Sequence, residues 1–135
     1  MKKVFIAIFI TFTIFGCTNK KAESKAAFDD LIKVHDKVMG ADEQLMNNKM
    51  QLDTLLKQDK LTGKDTAKLL ITKLALADSA MATWMHNFDP DHKGKSDDET
   101  LSYMNSQKKQ IMAIDSQINA AVTESNKYLH KIKGK

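Results

Sequence analysis

From Ala26 to Lys133 the chain contains one proline, Pro90, and its apolar residues recur every three or four positions. Side chains at that spacing share one face of a helix. A chain with so few breakers has little choice but long helices. The first stripe runs Phe28, Leu31, His35, Val38, Asp42, Leu45, Lys49, Leu52 and Leu56, and predicts a helix from Glu23 or Ala26 to Lys57. Gly40 inside it costs roughly 1 kcal/mol relative to alanine. Asn47-Asn48 weakens the helix further, so a bend is expected near either place.

A second stripe, Leu70, Leu74, Ala77, Met81, Trp84 and Phe88, predicts a helix from Lys64 to Phe88. Thr62 and Asp65 have capping-box spacing at its start. Pro90 stops it, because the residue before proline is pushed out of the helical region. Ser96-Asp97-Asp98-Glu99 opens a third helix, with Ser96 as cap, Glu99 returning the bond, and three acids at the positive end of the helix dipole. Its stripe is Leu101, Met104, Lys108, Ile111, Asp115, Ile118, Val122, Ser125, Leu129 and Ile132, ending at Gly134.

Three amphipathic helices with short connections predict an all-α fold, an antiparallel up-down-up three-helix bundle over residues 26–133. With the turns centred near residues 61 and 93, Met39 falls level with Trp84 and Leu101. Met81 falls level with Asp42 and Met104, and Asp78 near Leu45 and Lys108. This register leaves the third helix overhanging the other two at its C-terminal end. Val122, Leu129 and Ile132 on that overhang predict a protein partner or self-association through the helix's C-terminal half.

The first residues are of another kind. Met1-Lys2-Lys3 is basic, and Val4 to Phe15 is apolar except for Thr11 and Thr13. A charged start, a short apolar core and a small residue at the end form a secretory signal, over residues 1–16. The apolar run falls short of the ~20 residues that span a bilayer. Ile14-Phe15-Gly16-Cys17 resembles a bacterial lipobox, with Phe15 bulkier than usual. The resemblance implies diacylglycerol on the Cys17 sulfur, cleavage after Gly16 and acylation of the new amine, hence a membrane anchor of several acyl chains. Residues 17–25 then read as lipidated Cys and polar tether. Thr18 rather than Asp follows Cys17, and the next residues are basic. By the sorting rules of such lipoproteins, this implies the inner leaflet of the outer membrane, facing the periplasm.

Composition narrows the function classes. Cys17 is the single cysteine, which leaves no thiol for a disulfide, a CxxC site or a catalytic Cys. Removing the signal leaves 19 basic residues against 17 acids, too even a balance to point to nucleic acid. Every basic residue is lysine, which disfavours bidentate phosphate clamping. P-loop, HExxH, nucleophile-elbow and dinucleotide signatures are missing, so catalysis is not expected.

Three constellations remain. His35, Met39, Met81, Met85 and Met104 gather at one end of the expected bundle. Met and His suit a soft metal such as Cu(I), although methionine also fills irregular core space. Asp42, Asp78 and Lys108 lie at seam positions, where a buried charge needs a partner. Asp78 or Asp42 with Lys108 is the expected pair, as a register device or, less simply, a tuned carboxylate in a pocket. The loop from Asp89 to Lys95 has EF-hand-like spacing, but Lys93 fills a ligand position and Thr100 stands where a bidentate Glu belongs. It reads as an exposed turn.

Several blocks, His35-Asp36-Lys37-Val38-Met39, Ala77 to Met85 with Phe88, Gln107-Lys108 and Tyr128-Leu129, resemble a family of small helical lipoproteins from Bacteroidota. Some members carry the label "viral A-type inclusion protein". The resemblance implies a helical lipoprotein without an assigned activity and carries over no catalytic residue. The expectation is a lipid-anchored envelope protein with a non-catalytic interaction domain, no cofactor beyond the covalent lipid, and no nucleic-acid partner. The alternative is a copper-binding or copper-sensing lipoprotein.

Overall fold

The computed structural model describes residues 19–61 and 63–134; the segment read as a signal, Cys17, Thr18, Thr62 and Lys135 lie outside that range. Three helices carry the three stripes: α1 (Lys20–Lys57), α2 (Lys64–Asn87) and α3 (Asp97–Lys133). They pack on one another as a helical bundle, with no strand among the described residues. None of these helices is long and apolar enough to cross a membrane.

The ends follow local chemistry. α1 starts inside the stretch read as tether, because the Asn19 side chain accepts the Ala22 N–H at 3.2 Å. Lys20 then pairs with Asp98 of α3 at 3.2 Å, so the first turn already has a neighbour. At the other end Asp59 takes a left-handed φ of 57°. The Lys60 N–H reaches Leu55 O and the Asp59 N–H reaches Leu56 O, the paired bonds of a Schellman stop. Gly63, at φ 93°, holds the N-cap position of α2, one residue past Thr62. An L side chain there would be strained, and the Gly63 carbonyl accepts the Tyr128 hydroxyl at 3.2 Å. The expected capping box of α3 is present: the Ser96 hydroxyl accepts the Glu99 N–H, and the Glu99 carboxylate accepts the Ser96 N–H at 2.7 Å. Those bonds to Ser96 hold the Glu99 carboxyl below its ordinary range.

The core is heptad-like. Leu31, Val38, Leu45 and Leu52 of α1 are fully buried, one every seven residues, as are Met104, Ile111, Ile118 and Ser125 of α3. α2 contributes Leu70, Leu74, Ala77, Met81 and Trp84 between them. α1 stays helical through Gly40 and Asn47-Asn48. Gly40 is exposed with open space around it, whereas Asn48 is buried.

The register differs from the one expected from the turns. Asp30–Lys108, Lys37–Asp115 and Asn48–Asn126 are all 78 residues apart. Symmetric turns at 61 and 93 imply an offset about two heptads shorter. The reason lies in the lengths: α1 and α3 have 38 and 37 residues and α2 has 24. α3 docks on α1 from its first turn, and the chain from Phe88 to Ser96 makes up the difference in level. The expected overhang of α3 is therefore absent. Ile118, Ala121, Ser125 and Leu129 are buried within the chain, and Ile132 packs against the core. The motive for expecting a partner on that stretch goes with it. The unequal length appears at the opposite end, where the first turns of α1 and α3 extend beyond the last turn of α2.

Candidate functional site

Where α2 ends, four rings line up. Trp84 and Phe88 are four apart on the helical repeat, so they share a face. Their centroids lie 5.1 Å apart in a stacked arrangement. Phe88 stacks in turn on Tyr103 of α3 at 6.2 Å, and His35 of α1 approaches Trp84 at 6.1 Å. Lys95, from the loop, sits 5.2 Å from the Tyr103 centroid. The Tyr103 hydroxyl accepts the Asp89 N–H at 2.8 Å, which ties the loop to the stack. Trp84 is 6% exposed, and its indole N–H is buried without a hydrogen-bond partner. An unpaired buried donor forfeits its hydration; the ring packing offsets that cost.

Met81 and Met104 are core side chains at this end, whereas Met39 and Met85 are exposed. The five residues of the soft-metal constellation thus divide between interior and surface. The Nδ1 of His35 lies 3.1 Å from Asp36 Oδ1 on the same helix. Among the described residues no group of three or more His, Cys, Asp or Glu is placed to hold a metal ion.

The expected opposite-charge pairing is replaced. Lys108 pairs with Asp30 on the α1–α3 side, and that ion pair lowers the Asp30 carboxyl. The 78-residue offset puts Lys108 level with Asp30, three turns from Asp42. Asp42 instead meets another acid. Burial, and then the charge of Asp78, pushes the Asp42 carboxyl above its ordinary range, and its Oδ1 is buried with no hydrogen-bond partner.

In the loop, Asp89 Oδ1 accepts the Asp91 and His92 N–H groups at 3.1 and 3.2 Å. Lys93 pairs with Asp91, and Lys95 with Asp89. The loop's acids are engaged by its own amides and lysines, as an exposed turn requires. Beside it lies a groove of about 580 Å³, between the first turns of α1 and α3, lined by Lys21, Lys25, Phe28, His92, Asp97 and Thr100 among others.

One polar cluster escaped the sequence reading. Asn48 is 1% exposed and faces α3. Its Nδ2 donates to Ser125 Oγ and to Asn126 Oδ1, both at 2.8 Å, and its Oδ1 accepts from Gln44 Nε2 at 2.8 Å. Ser125 Oγ donates to the Ala121 carbonyl at 2.7 Å. The signal was available: Asn48 is three after Leu45 and four before Leu52, an inward position. A satisfied buried Asn in a coiled-coil seam specifies register.

No protein-family model matches this chain, and no curated protein or solved structure matches it.

Proposed function

We propose that the chain is a lipid-anchored protein of the bacterial envelope, held by Cys17 in the outer membrane and facing the periplasm. In this reading its up-down-up antiparallel bundle acts by non-catalytic contact. The bundle topology is supported by the pairings: α1 and α3 residue numbers rise together, while Lys73–Glu124 and Tyr128–Gly63 link α2 to α3 with numbers running in opposite senses. The anchor rests on one observation, that the single cysteine closes the apolar segment in a lipobox-like Ile14-Phe15-Gly16-Cys17. Helix α1 begins three residues beyond Cys17, so the anchor would hold the bundle close to the bilayer surface.

The non-catalytic reading rests on the sequence, in which P-loop, HExxH, nucleophile-elbow and dinucleotide signatures are missing. No observation favours the copper reading over this one.

Cys17→Ser is the direct test. In cells fed a palmitate analogue, the wild-type chain is expected to take up label and partition into detergent, and the variant to do neither. Unchanged labelling and partitioning of the variant would dispose of the anchor.

A further inference from the structure

The side of the bundle shared by α2 and α3 carries a surface with little charge. Leu76 is 66% exposed, the most exposed of the large apolar side chains among the described residues. It stands on a ridge between two shallow grooves, of about 410 and 340 Å³, and lines both. Around Leu76, α2 presents Ser79, Ala80, Thr83 and Asn87 to the first groove. α3 presents Gln107, Gln110 and Ile114 to it, and Gln117, Ala120 and Ala121 to the second. Across both grooves the charged residues are Lys73 and Glu124 alone, and they neutralise each other in an ion pair of 2.6 Å at one border. This is a chain in which 28% of residues are charged.

We propose that this face is where two copies of the chain pack on each other about a two-fold axis beside Leu76. An interface of that symmetry uses the same patch twice, so the patch must complement itself. A charge near the axis would meet its own like, and here there is none. Shape meets the same condition. Leu76 is a projecting knob, and Ala77, Ala80, Ala120 and Ala121 leave hollows beside it into which the other copy's Leu76 fits. The Gln, Asn, Ser and Thr side chains are donors and acceptors at once, so each finds a partner in its own kind. A different protein that docked here would have little charge to recognise, and charge complementarity is what chiefly steers unlike partners together.

The footprint sets the strength. From Lys73 to Asn87 the ridge is about 20 Å long at 1.5 Å per residue. A patch of that length on two helices falls below the roughly 800 Å² per partner of a standard stable interface. Association in free solution is therefore weak. Confinement of both copies to one membrane surface raises their effective concentration and so favours the pairing; to this extent it rests on the anchor proposed above.

The test uses the full chain, expressed with its own signal in a lipidating envelope. Single cysteines replace Leu76 or Ser79 on the face, or Met112 as control; Met112 is 52% exposed on α3 and lines neither groove. After mild oxidation, Leu76→Cys and Ser79→Cys are expected to give a product of twice the chain's mass. The yield should be at least about tenfold that of Met112→Cys and of the wild-type chain, the blank for Cys17. Adding Ser79→Asp to Leu76→Cys, which puts a charge one turn from Leu76 and close to the axis where it faces its own copy, should remove most of it. Equal yields at all three sites, no product at either face site, or a product with the mass of another protein would each overturn the proposal. Palmitate labelling of the same samples separates the two ideas. A labelled chain that does not cross-link loses the interface and keeps the anchor; an unlabelled chain that still cross-links through Leu76→Cys above its blank does the reverse.

Discussion

Along α1, α3 meets charges and amides: Asp30 on Lys108, Lys37 on Asp115 at 2.8 Å, and Asn48 between Ser125 and Asn126. Along α2 it meets the Phe88–Tyr103 stack at one end and the Tyr128–Gly63 bond at the other, with the Lys73–Glu124 pair between them. Both seams bury the same kind of apolar stripe. They differ in what a slide along the helix would cost. A heptad repeat tolerates a shift of seven residues as far as the apolar side chains are concerned. On the α1 side that shift would set Ile118 or Ile132 opposite Asn48 in place of Ser125, and a buried amide left short of partners costs about 1–3 kcal/mol. The α2 side is held by aromatic shape at one end, by a single hydrogen bond at the other, and by one exposed ion pair between them, with no buried polar cluster like that of Asn48. The first seam specifies register by polar chemistry, the second by packing.

Three substitutions probe that difference. The largest effect is expected at the aromatic end: Trp84→Ala should destabilise the bundle by about 3–5 kcal/mol, the usual range for a buried aromatic truncated in a core. Urea unfolding of the variant beside the wild type measures it; a loss below about 1 kcal/mol would mean that the α2 seam is not held by its rings.

Next comes the polar seam. Asn48→Ala should cost about 1–3 kcal/mol, since Gln44 and Asn126 lose their shared partner. Asn48→Leu combined with Ser125→Ala should recover part of that loss, because an apolar pair needs no hydrogen bonds. If the single change is neutral, the amide cluster is not what sets the register.

The smallest effect concerns the third seam, where Asp42 of α1 faces Asp78 of α2. Burial, with Asp78 second, raises the Asp42 carboxyl in the folded state. Folding then favours the protonated acid, so its contribution is fully present below the unfolded carboxyl's pKa and is lost as pH rises through the raised one. Asp42→Asn should therefore raise neutral-pH stability by under about 1 kcal/mol, and the gain should vanish in acid. Thermal unfolding at pH 7 and at pH 3 decides it; a gain of equal size at both would show that charge is not the cause.

Fold class, helix count and most helix ends were legible along the chain, because spacing, capping and breakers act within a few residues of one another. The Ser96–Glu99 box and the stop before Pro90 are of this kind. Register and pairing were not legible. The turn lengths suggested Lys108 beside Asp42 or Asp78; the long helices α1 and α3 aligned from Lys20–Asp98 onward and set Lys108 on Asp30 instead. Asn48 was visible as a weak helix former and turned out to be a buried, fully bonded seam residue. Local propensity falls off within a turn or two. The level at which two helices face each other is a sum over the whole interface, and the tertiary structure alone decides it.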